Sequence, residues 1–294
     1  MRSQPKLVVD LEDPGARETT PADFALTEEA AELLREIKGR APGGAFTVRG
    51  AFTAEVVAAA GSATPLPLGC PTLLINHAPT LGAQLAKKLR AFAAARDTNA
   101  TIVVTLPAPG WPAHLRARVL ALIAHKMLAP FPNAVVLLQS RGDLATLEEM
   151  RVQHGFLLAP ERQRFFYDVD AWLAFMGAAD AAVGFRLHGS MSAVAAGTPA
   201  VIVSTDWRVR ELAESHRLPT TTILDAAFAS DAAAEKFDLY DFVHRMEQTF
   251  SGGAFDANRA AAAVGYVRIF AAAGLGVHPG VRALAEDAAA KAAA

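Results

Sequence analysis

The sequence of 294 residues contains a single cysteine, Cys70. One cysteine cannot form an internal disulfide or a thiolate metal cluster, which excludes a disulfide-rich secreted domain and predicts a cytoplasmic protein. Long apolar runs are also missing. The longest charge-free stretch, residues 56–86, is interrupted by four prolines, so no transmembrane segment is expected. The first fifteen residues, MRSQPKLVVDLEDPG, have no long apolar core and therefore do not resemble a secretory signal.

An excess of charge of either sign is missing as well. Basic residues number 28 and acidic residues 30, which gives a net charge of −2. No long basic run interrupts this balance, so binding of nucleic acid through bulk charge is excluded. The apolar fraction of 52% against 20% charged residues predicts a folded chain with a sizeable core.

Several motifs of catalysis and cofactor binding are missing too. The sequence has no HExxH, no Walker loop, no GxGxxG and no GxSxG. It therefore gives no support for a zinc metalloprotease, a P-loop NTPase, a dinucleotide-binding domain or a serine α/β-hydrolase. The eight histidines show no mutual spacing typical of metal ligands. We therefore expect neither a bound metal nor a resident cofactor.

What the sequence does contain is an alternation of short β-branched runs with amphipathic segments. This alternation predicts an α/β fold with mostly parallel sheets. The predicted strands are Thr47–Arg49, Thr72–Asn76, Ile102–Leu106, Val135–Leu138, Ala181–Gly184, Val201–Ser204 and Thr221–Leu224. The predicted helices are Thr27–Arg40, Thr53–Ala60, Leu81–Ala95, Pro112–Leu128, Leu144–His154, Ala171–Met176, Ser190–Ala196, Val209–Arg217, Ala232–Thr249 and Phe255–Ala273. We place a domain boundary between residues 96 and 97, which gives domains 1–96 and 97–294.

The segment around Arg186 and His188 is the most informative. A buried strand ends in Gly-Phe-Arg-Leu-His, and a helix then begins near Gly189 or Ser190. Ligands of open α/β sheets bind at the carboxyl ends of the strands, and helix N-termini attract anions. This segment predicts a phosphate or carboxylate site. The alternative is structural, with Arg186 buried in an ion pair with Asp180 or Asp206.

Polar residues follow other predicted strands. Asp206, Arg208 and Glu211 come after the strand that ends at Ser204. Arg208 is either a second contact for an anion or a partner of Glu211, three residues along the helix. Arg49 and Asn76 stand at the ends of two earlier strands and are predicted to bind substrate. Cys70, beside a proline, is expected to be a packed small side chain.

These segments together carry a family resemblance. Residues 184–214, GFRLHGSMSAVAAGTPAVIVSTDWRVRELAE, resemble the C-terminal motif of the polysaccharide pyruvyl transferase family. That motif reads Gly-x-Arg-Leu-His, a helix of small residues, Gly-x-Pro, an apolar strand, then Asp and a basic residue. The earlier segments FTVRGAFTAEVVAAAG, LGCPTLLIN and VVLLQSRGDL are similar to further blocks of the same family.

The resemblance implies a GT-B-like fold of two Rossmann-like domains with parallel sheets, the N-terminal one reduced because few residues precede its Val-Arg-Gly block. It implies transfer of a pyruvyl group, as a ketal, from phosphoenolpyruvate to a sugar of a cell-surface or exopolysaccharide precursor. The acceptor would lie against the N-terminal domain. Phosphoenolpyruvate is a donor substrate in this scheme, and no cofactor is implied.

The same resemblance implies roles for the candidate residues. Arg186 and His188 would meet phosphoenolpyruvate, with Arg186 as a bidentate fork on its carboxylate or phosphate and His188 either as proton donor or as a contact of the phosphate. The chemistry of the reaction adds two candidates that the resemblance does not assign: Arg208, which would neutralise the leaving phosphate, and Asp206, which would be the base for the acceptor hydroxyl. Gly189 and Ser190 complete the anion site at the helix N-terminus.

Two further hypotheses stay open. One is a GT-B glycosyltransferase that binds a nucleotide sugar at the same strand ends, with Asp206 or Glu211 on ribose or sugar hydroxyls. The other is a non-catalytic binding protein derived from the family, which binds anions without turnover. That third hypothesis includes a homo-oligomer that covers an exposed sheet edge.

Overall fold

The computed structural model describes residues 20–21, 24, 26–40, 46–61, 65–108, 113–223, 225, 228 and 230–293. The chain forms two compact units. Unit 1 comprises residues 1–79, 206–217 and 255–294, and unit 2 comprises residues 80–205 and 218–254. The domain boundary after residue 96 stays a prediction.

The secondary structure of the described residues is mixed α/β. The helices, in chain order, are α1 (Glu28–Arg40), α2 (Ala51–Ala59), α3 (Leu81–Ala95), α4 (Ala113–Leu122), α5 (Arg141–His154), α6 (Val169–Gly177), α7 (Leu187–Ala195), α8 (Trp207–Ser215), α9 (Asp231–Glu235), α10 (Leu239–Thr249), α11 (Gly252–Ala272) and α12 (Pro279–Ala293). The strands are β1 (Thr47–Val48), β2 (Leu66–Pro67), β3 (Ile102–Thr105), β4 (Val135–Leu137), β5 (Gln163–Arg164), β6 (Ala181–Gly184), β7 (Ala200–Ser204) and β8 (Thr220–Thr222).

Unit 2 is built on a parallel sheet of six strands in the order β5-β4-β3-β6-β7-β8. Every residue of the central strands β3, β6 and β7 is buried. Such strands have to be apolar on both faces, because helices cover both sides of a parallel sheet. The sheet confirms the predicted α/β class. Its strand order is that of the doubly wound dinucleotide-binding sheet, in which successive strands are added first toward one edge and then, from the centre, toward the other.

Unit 1 contains a sheet of two strands among its described residues. Its strands β1 and β2 form a parallel pair, with Thr47 opposite Leu66. A hydrophobic cluster lies between α11, α12 and a 3-10 turn at Pro71–Leu74, and its buried members are Leu74, Ala263, Tyr266, Leu284 and Ala285.

The predicted strand Thr72–Asn76 is wrong. Residues 71–74 form the 3-10 turn instead, in which the Leu73 N–H donates to the carbonyl of Cys70. Pro71 has no N–H for a strand ladder and suits the first position of a helical turn. The turn buries Leu73 and Leu74, while the strand that pairs with β1 lies upstream at Leu66–Pro67.

Several helix boundaries also differ from prediction. The helix predicted at 232–249 is two helices, because Asp238 caps a new one by accepting a bond from the Asp241 N–H. The helix predicted to end at Leu128 finishes in a π-helical segment, Ile123–Leu128. Pro112 and Leu224, at the ends of two predicted elements, lie outside the described residues. In the part of the chain that is described, no helix is both long and apolar enough to cross a membrane.

Candidate active site

The carboxyl ends of β3 and β6 mark the point in unit 2 where the strand order reverses. Sheets of this order bind ligands in the crevice outside these ends. The chain leaves β6 through Phe185 and Arg186 and enters α7 at Leu187. The backbone N–H of Arg186 donates to the hydroxyl of Thr105, the last residue of β3. The predicted Arg-Leu-His segment therefore stands at the site that this topology favours.

The Arg186 side chain is engaged within unit 2. Its guanidinium donates through Nε to the carbonyl of Leu106 at 3.0 Å, through one terminal nitrogen to Ser140 Oγ at 3.2 Å, and through the other to Asp143 Oδ1 at 2.5 Å. The carboxylate partner is thus Asp143, and not Asp180 or Asp206 as the structural alternative supposed. Three of the five guanidinium N–H groups serve these bonds.

Asp143 is completely buried, with 0% of its side chain exposed. Its second oxygen accepts the backbone N–H groups of Gln139 and Ser140, at 2.6 and 2.8 Å. Ser140 is the N-cap of α5, and Asp143 reaches back to it as the third helical residue, which is a capping box. The helix therefore starts at Arg141, before the predicted Leu144. The Arg186–Asp143 pair ties the ends of β3, β4 and β6 together.

His188 is an exposed polar residue of this region. It is the second residue of α7 and lines a cavity of about 230 Å³ beside the end of β4. The other residues of the lining are Leu137, Leu138, Gln139, Phe165, Phe166 and Trp172. Two nitrogens in this wall, Gln139 Nε2 and Trp172 Nε1, are buried without a hydrogen-bond partner among the described residues.

Gly189 and Ser190, both predicted to bind substrate, are packed into the first turns of α7. Ser190 is 0% exposed, and its hydroxyl donates to the carbonyl of Arg186 at 3.2 Å. A Cβ on Gly189 would lie 2.4 Å from a methyl of Thr105 and 2.8 Å from Gln139 Nε2. Glycine therefore lets the start of α7 approach the strand ends closely. Binding of substrate by these two residues stays a prediction.

In unit 1, Asp206 and Arg208 stand at the start of α8. Asp206 is the N-cap, and its Oδ1 accepts the N–H of Val209 at 2.9 Å. Its other oxygen lies 3.7 Å from the Arg208 guanidinium, whose side chain is 55% exposed. The capping function thus occupies one oxygen of the candidate base, and Arg208 is held only loosely.

Glu211 neither pairs with Arg208 nor faces a ligand, the two roles considered for it from the sequence. It is 7% exposed, and its carboxylate accepts the backbone N–H of Thr53 at 2.5 Å and the Thr53 hydroxyl at 2.7 Å. It therefore satisfies the positive N-terminus of α2, which begins at Ala51 with Gly50 as N-cap rather than at Thr53. A Cβ on Gly50 would lie 2.3 Å from Glu211 Cγ. Arg49, just before this glycine, is half-buried.

A second turn of unit 1 is held by His216. The Nε2 of this histidine accepts the N–H of Cys70 at 3.1 Å, and the ring is 3% exposed. Burial lowers the pKa of His216 to about 4, so the ring is neutral near pH 7. Gly69, with φ +75°, leaves the space for the ring, because a Cβ there would lie 1.5 Å from Nε2.

Asn76 lies after the 3-10 turn of unit 1 rather than at a strand end. Its side-chain oxygen accepts the N–H of Ala78 at 3.0 Å. The carbonyls of Asn76 and Ala78 both accept from Arg259, a side chain of α11 that is 1% exposed. Burial lowers the pKa of this guanidinium.

The structure brings four of the predicted residues together in unit 2, namely Arg186, His188, Gly189 and Ser190. The other four, Arg49, Asn76, Asp206 and Arg208, belong to unit 1. Sequence reasoning missed Asp143 as the partner of Arg186, although its capping-box spacing with Ser140 is a readable signal. It also missed Trp172 and the aromatic pair Phe165-Phe166. Across the described residues, no group of three or more histidine, cysteine or acidic side chains could hold a metal ion.

Comparison with known proteins adds one match. A family model described as polysaccharide pyruvyl transferase matches residues 25–206. The matched region includes Arg49, Asn76, Arg186, His188 and Asp206, and it ends just before Arg208. No curated protein and no solved structure matches the chain.

Proposed function

The chain belongs to the polysaccharide pyruvyl transferase family, and we propose that it transfers a pyruvyl group from phosphoenolpyruvate to a sugar of a cell-surface or exopolysaccharide precursor. The observation that carries this proposal is the position of His188. Its exposed side chain stands at the reversal point of the parallel sheet, inside the region that the family model matches. Ligands of such sheets bind at this edge.

The proposed reaction needs one proton donor and a stabilised leaving group. A proton adds to the methylene carbon of phosphoenolpyruvate and leaves an oxocarbenium-like centre at the neighbouring carbon. One sugar hydroxyl adds to that centre, the carbon–oxygen bond to phosphate breaks, and a second hydroxyl closes the ketal. The two hydroxyls release two protons, of which one balances the methyl group and the other leaves on hydrogen phosphate.

His188 is the proposed proton donor, because an imidazole exchanges protons near neutral pH. Arg186 acts mainly as a positioning residue, since its charge is met by Asp143 and it fixes the strand ends from which α7 starts. The same proposal assigns Asp206 as the base and Arg208 as the contact of the leaving phosphate. It also assigns four residues to substrate binding: Gly189, Ser190, Arg49 and Asn76. The proposal further includes a GT-B-like arrangement, which the family resemblance implies, a cytoplasmic location, which the single cysteine favours, and a homo-oligomer that covers an exposed sheet edge.

A nucleotide sugar is the second candidate ligand. The strand order of unit 2 favours it, because sheets of this order commonly bind nucleotides at the same edge. The donor ligand therefore has to be identified directly.

The test is thermal unfolding of the purified chain with and without millimolar phosphoenolpyruvate. We expect Tm to rise by a few degrees in the wild type, because a ligand that binds only the folded state stabilises it. The rise should vanish in His188→Ala and persist in His244→Ala, since the His244 side chain is 61% exposed on α10. No rise with phosphoenolpyruvate, but one with a nucleoside diphosphate sugar, would refute the proposal. A Tm rise with phosphoenolpyruvate but no release of phosphate, with any acceptor, would favour the non-catalytic hypothesis.

A further inference from the structure

The cavity beside His188 has an aromatic wall. Phe165, Phe166 and Trp172 line it together with the apolar side chains of Leu137 and Leu138. Its volume, about 230 Å³, suits a compact group. All of these residues belong to unit 2. Ligand pockets of this kind combine apolar and aromatic walls with a few polar groups that fix orientation.

The cavity offers little to balance a multiply charged ligand, since His188 is the one described lining residue that can carry a charge. None of its seven lining residues is aspartate, glutamate, lysine or arginine. The nearby Arg186 is already paired with the buried carboxylate of Asp143 at 2.5 Å. Moving a multiply charged anion into such surroundings is costly, because a buried charge needs a partner. The lining therefore favours a neutral ligand.

Two hydrogen-bond donors of the wall lack acceptors. Gln139 Nε2 and Trp172 Nε1 are buried and unpaired among the described residues. An unmet buried donor costs about 1–3 kcal/mol, so turning either side chain toward an oxygen acceptor of a ligand in the cavity gains affinity. A ligand that also has an apolar face can pack its C–H groups against the electron-rich faces of the aromatic rings. A neutral sugar ring combines both properties.

We infer that this cavity binds a neutral pyranose ring of the acceptor, held by Phe165, Phe166 and Trp172 with Gln139. The inference rests on the proposed function for the identity of the sugar as acceptor. It differs from the expectation that the acceptor lies against the N-terminal domain, because the aromatic cavity belongs to unit 2. His188, as a lining residue, then stands next to the sugar whose hydroxyl receives the pyruvyl group.

The chain offers a matched pair of variants for the test. Phe165 and Tyr167 are both exposed, at 48% and 97%, and their rings lie 4.7 Å apart. Only Phe165 of this pair lines the cavity. Because both side chains are exposed, Phe165→Ala and Tyr167→Ala should leave the fold intact, and circular dichroism checks this for each.

The experiment measures saturation transfer by NMR from the full chain to the methyl β-pyranosides of glucose, galactose and mannose. We expect transfer to at least one glycoside in the wild type and in Tyr167→Ala. Phe165→Ala should weaken binding about tenfold, which corresponds to about 1.4 kcal/mol. Trp172→Phe keeps an aromatic ring but removes the N–H, and it should weaken binding by a smaller factor. No transfer to any of the three glycosides, or transfer that Phe165→Ala leaves unchanged, would overturn the inference.

Thermal shift with phosphoenolpyruvate separates this inference from the proposed function. If both hold, Phe165→Ala keeps the Tm rise with phosphoenolpyruvate while it loses glycoside binding. Glycoside binding through Phe165 without any effect of phosphoenolpyruvate would leave the sugar site standing and refute the donor. Loss of the phosphoenolpyruvate effect in Phe165→Ala, with no glycoside bound, would show that the cavity holds the donor instead.

Discussion

Both units hold the turn that follows a strand with a side chain from elsewhere in the sequence, but the side chains differ. In each, a strand ends in a glycine-containing turn, and a side chain distant in sequence fixes that turn. In unit 2 the ion pair between Arg186 and the buried carboxylate of Asp143 holds the end of β6. In unit 1 the Glu211 carboxylate holds the start of α2, and the neutral His216 ring holds the turn at Cys70. The glycines supply the close approach in both units, since a Cβ on Gly184 would lie 1.8 Å from Ser190 Oγ.

The difference between the units concerns what remains exposed. In unit 2 the charged pair supports a helix whose second residue, His188, is exposed at a cavity. In unit 1 the carboxylate and the imidazole are themselves buried and bonded to the backbone. A polar residue that follows a strand can therefore either face a ligand or hold the backbone of a neighbouring turn. Burial and bonding partners separate the two.

The strongest test of this comparison is removal of the Arg186 side chain. Arg186→Ala should lower the free energy of unfolding by about 3–5 kcal/mol, because it leaves the Asp143 carboxylate buried without its partner. Urea unfolding of the variant measures the change. The control is Arg208→Ala, which removes an exposed guanidinium 3.7 Å from its carboxylate and should cost less than about 1 kcal/mol.

A companion double variant separates the pair from its surroundings. Arg186→Met combined with Asp143→Leu removes both charges and should be less destabilised than the two single replacements predict together. Equal stabilities of Arg186→Ala and Arg208→Ala would contradict the supporting role of the pair.

The next effect is the dependence of stability on pH through His216. The folded state holds the pKa of this ring at about 4, below its ordinary value of 6.5, because burial disfavours the charged form. The unfolded state therefore binds more protons between these values, and stability falls as pH drops from about 6.5 to about 4. The loss is on the order of 3 kcal/mol over that window.

Unfolding by urea at a series of pH values measures this contribution. His216→Gln should remove that part of the pH dependence, whereas His244→Gln, which replaces an exposed ring, should retain it. An unchanged pH dependence in His216→Gln would show that the ring is not buried as a neutral group in solution.

Most helices and the central strands could be predicted from the sequence, whereas the shortest strands could not. The helix Leu81–Ala95 and the strand Ala181–Gly184 have the predicted bounds, because periodicity and β-branched runs are local signals. The strands β2 and β5 have two residues each, which is too short for any periodicity.

The candidate site shows the same limit. Arg186 and His188 could be found because the strand-to-helix turn lies within a few consecutive residues. The partners Asp143 and Glu211 could not be assigned, since 43 residues separate Asp143 from Arg186 and 158 separate Glu211 from Thr53. Only packing in three dimensions decides such pairs. The cavity beside His188 likewise collects residues from four separate parts of the chain.

The smallest effect on stability is expected from a change beside Glu211, the buried carboxylate of unit 1. Thr53→Val removes the hydroxyl that donates to Glu211 at 2.7 Å but keeps the backbone N–H that donates to the same carboxylate at 2.5 Å. We expect a loss of about 1 kcal/mol in the free energy of unfolding, since one of two bonds is lost. Thr72→Val is the matched control, because its hydroxyl is paired with Cys70 Sγ at 3.0 Å, and a thiol is a weak hydrogen-bonding group whose loss should cost a smaller amount. Equal losses in the two variants would mean that Glu211 contributes no more than an ordinary polar neighbour, and the parallel between the turns of the two units would then fail.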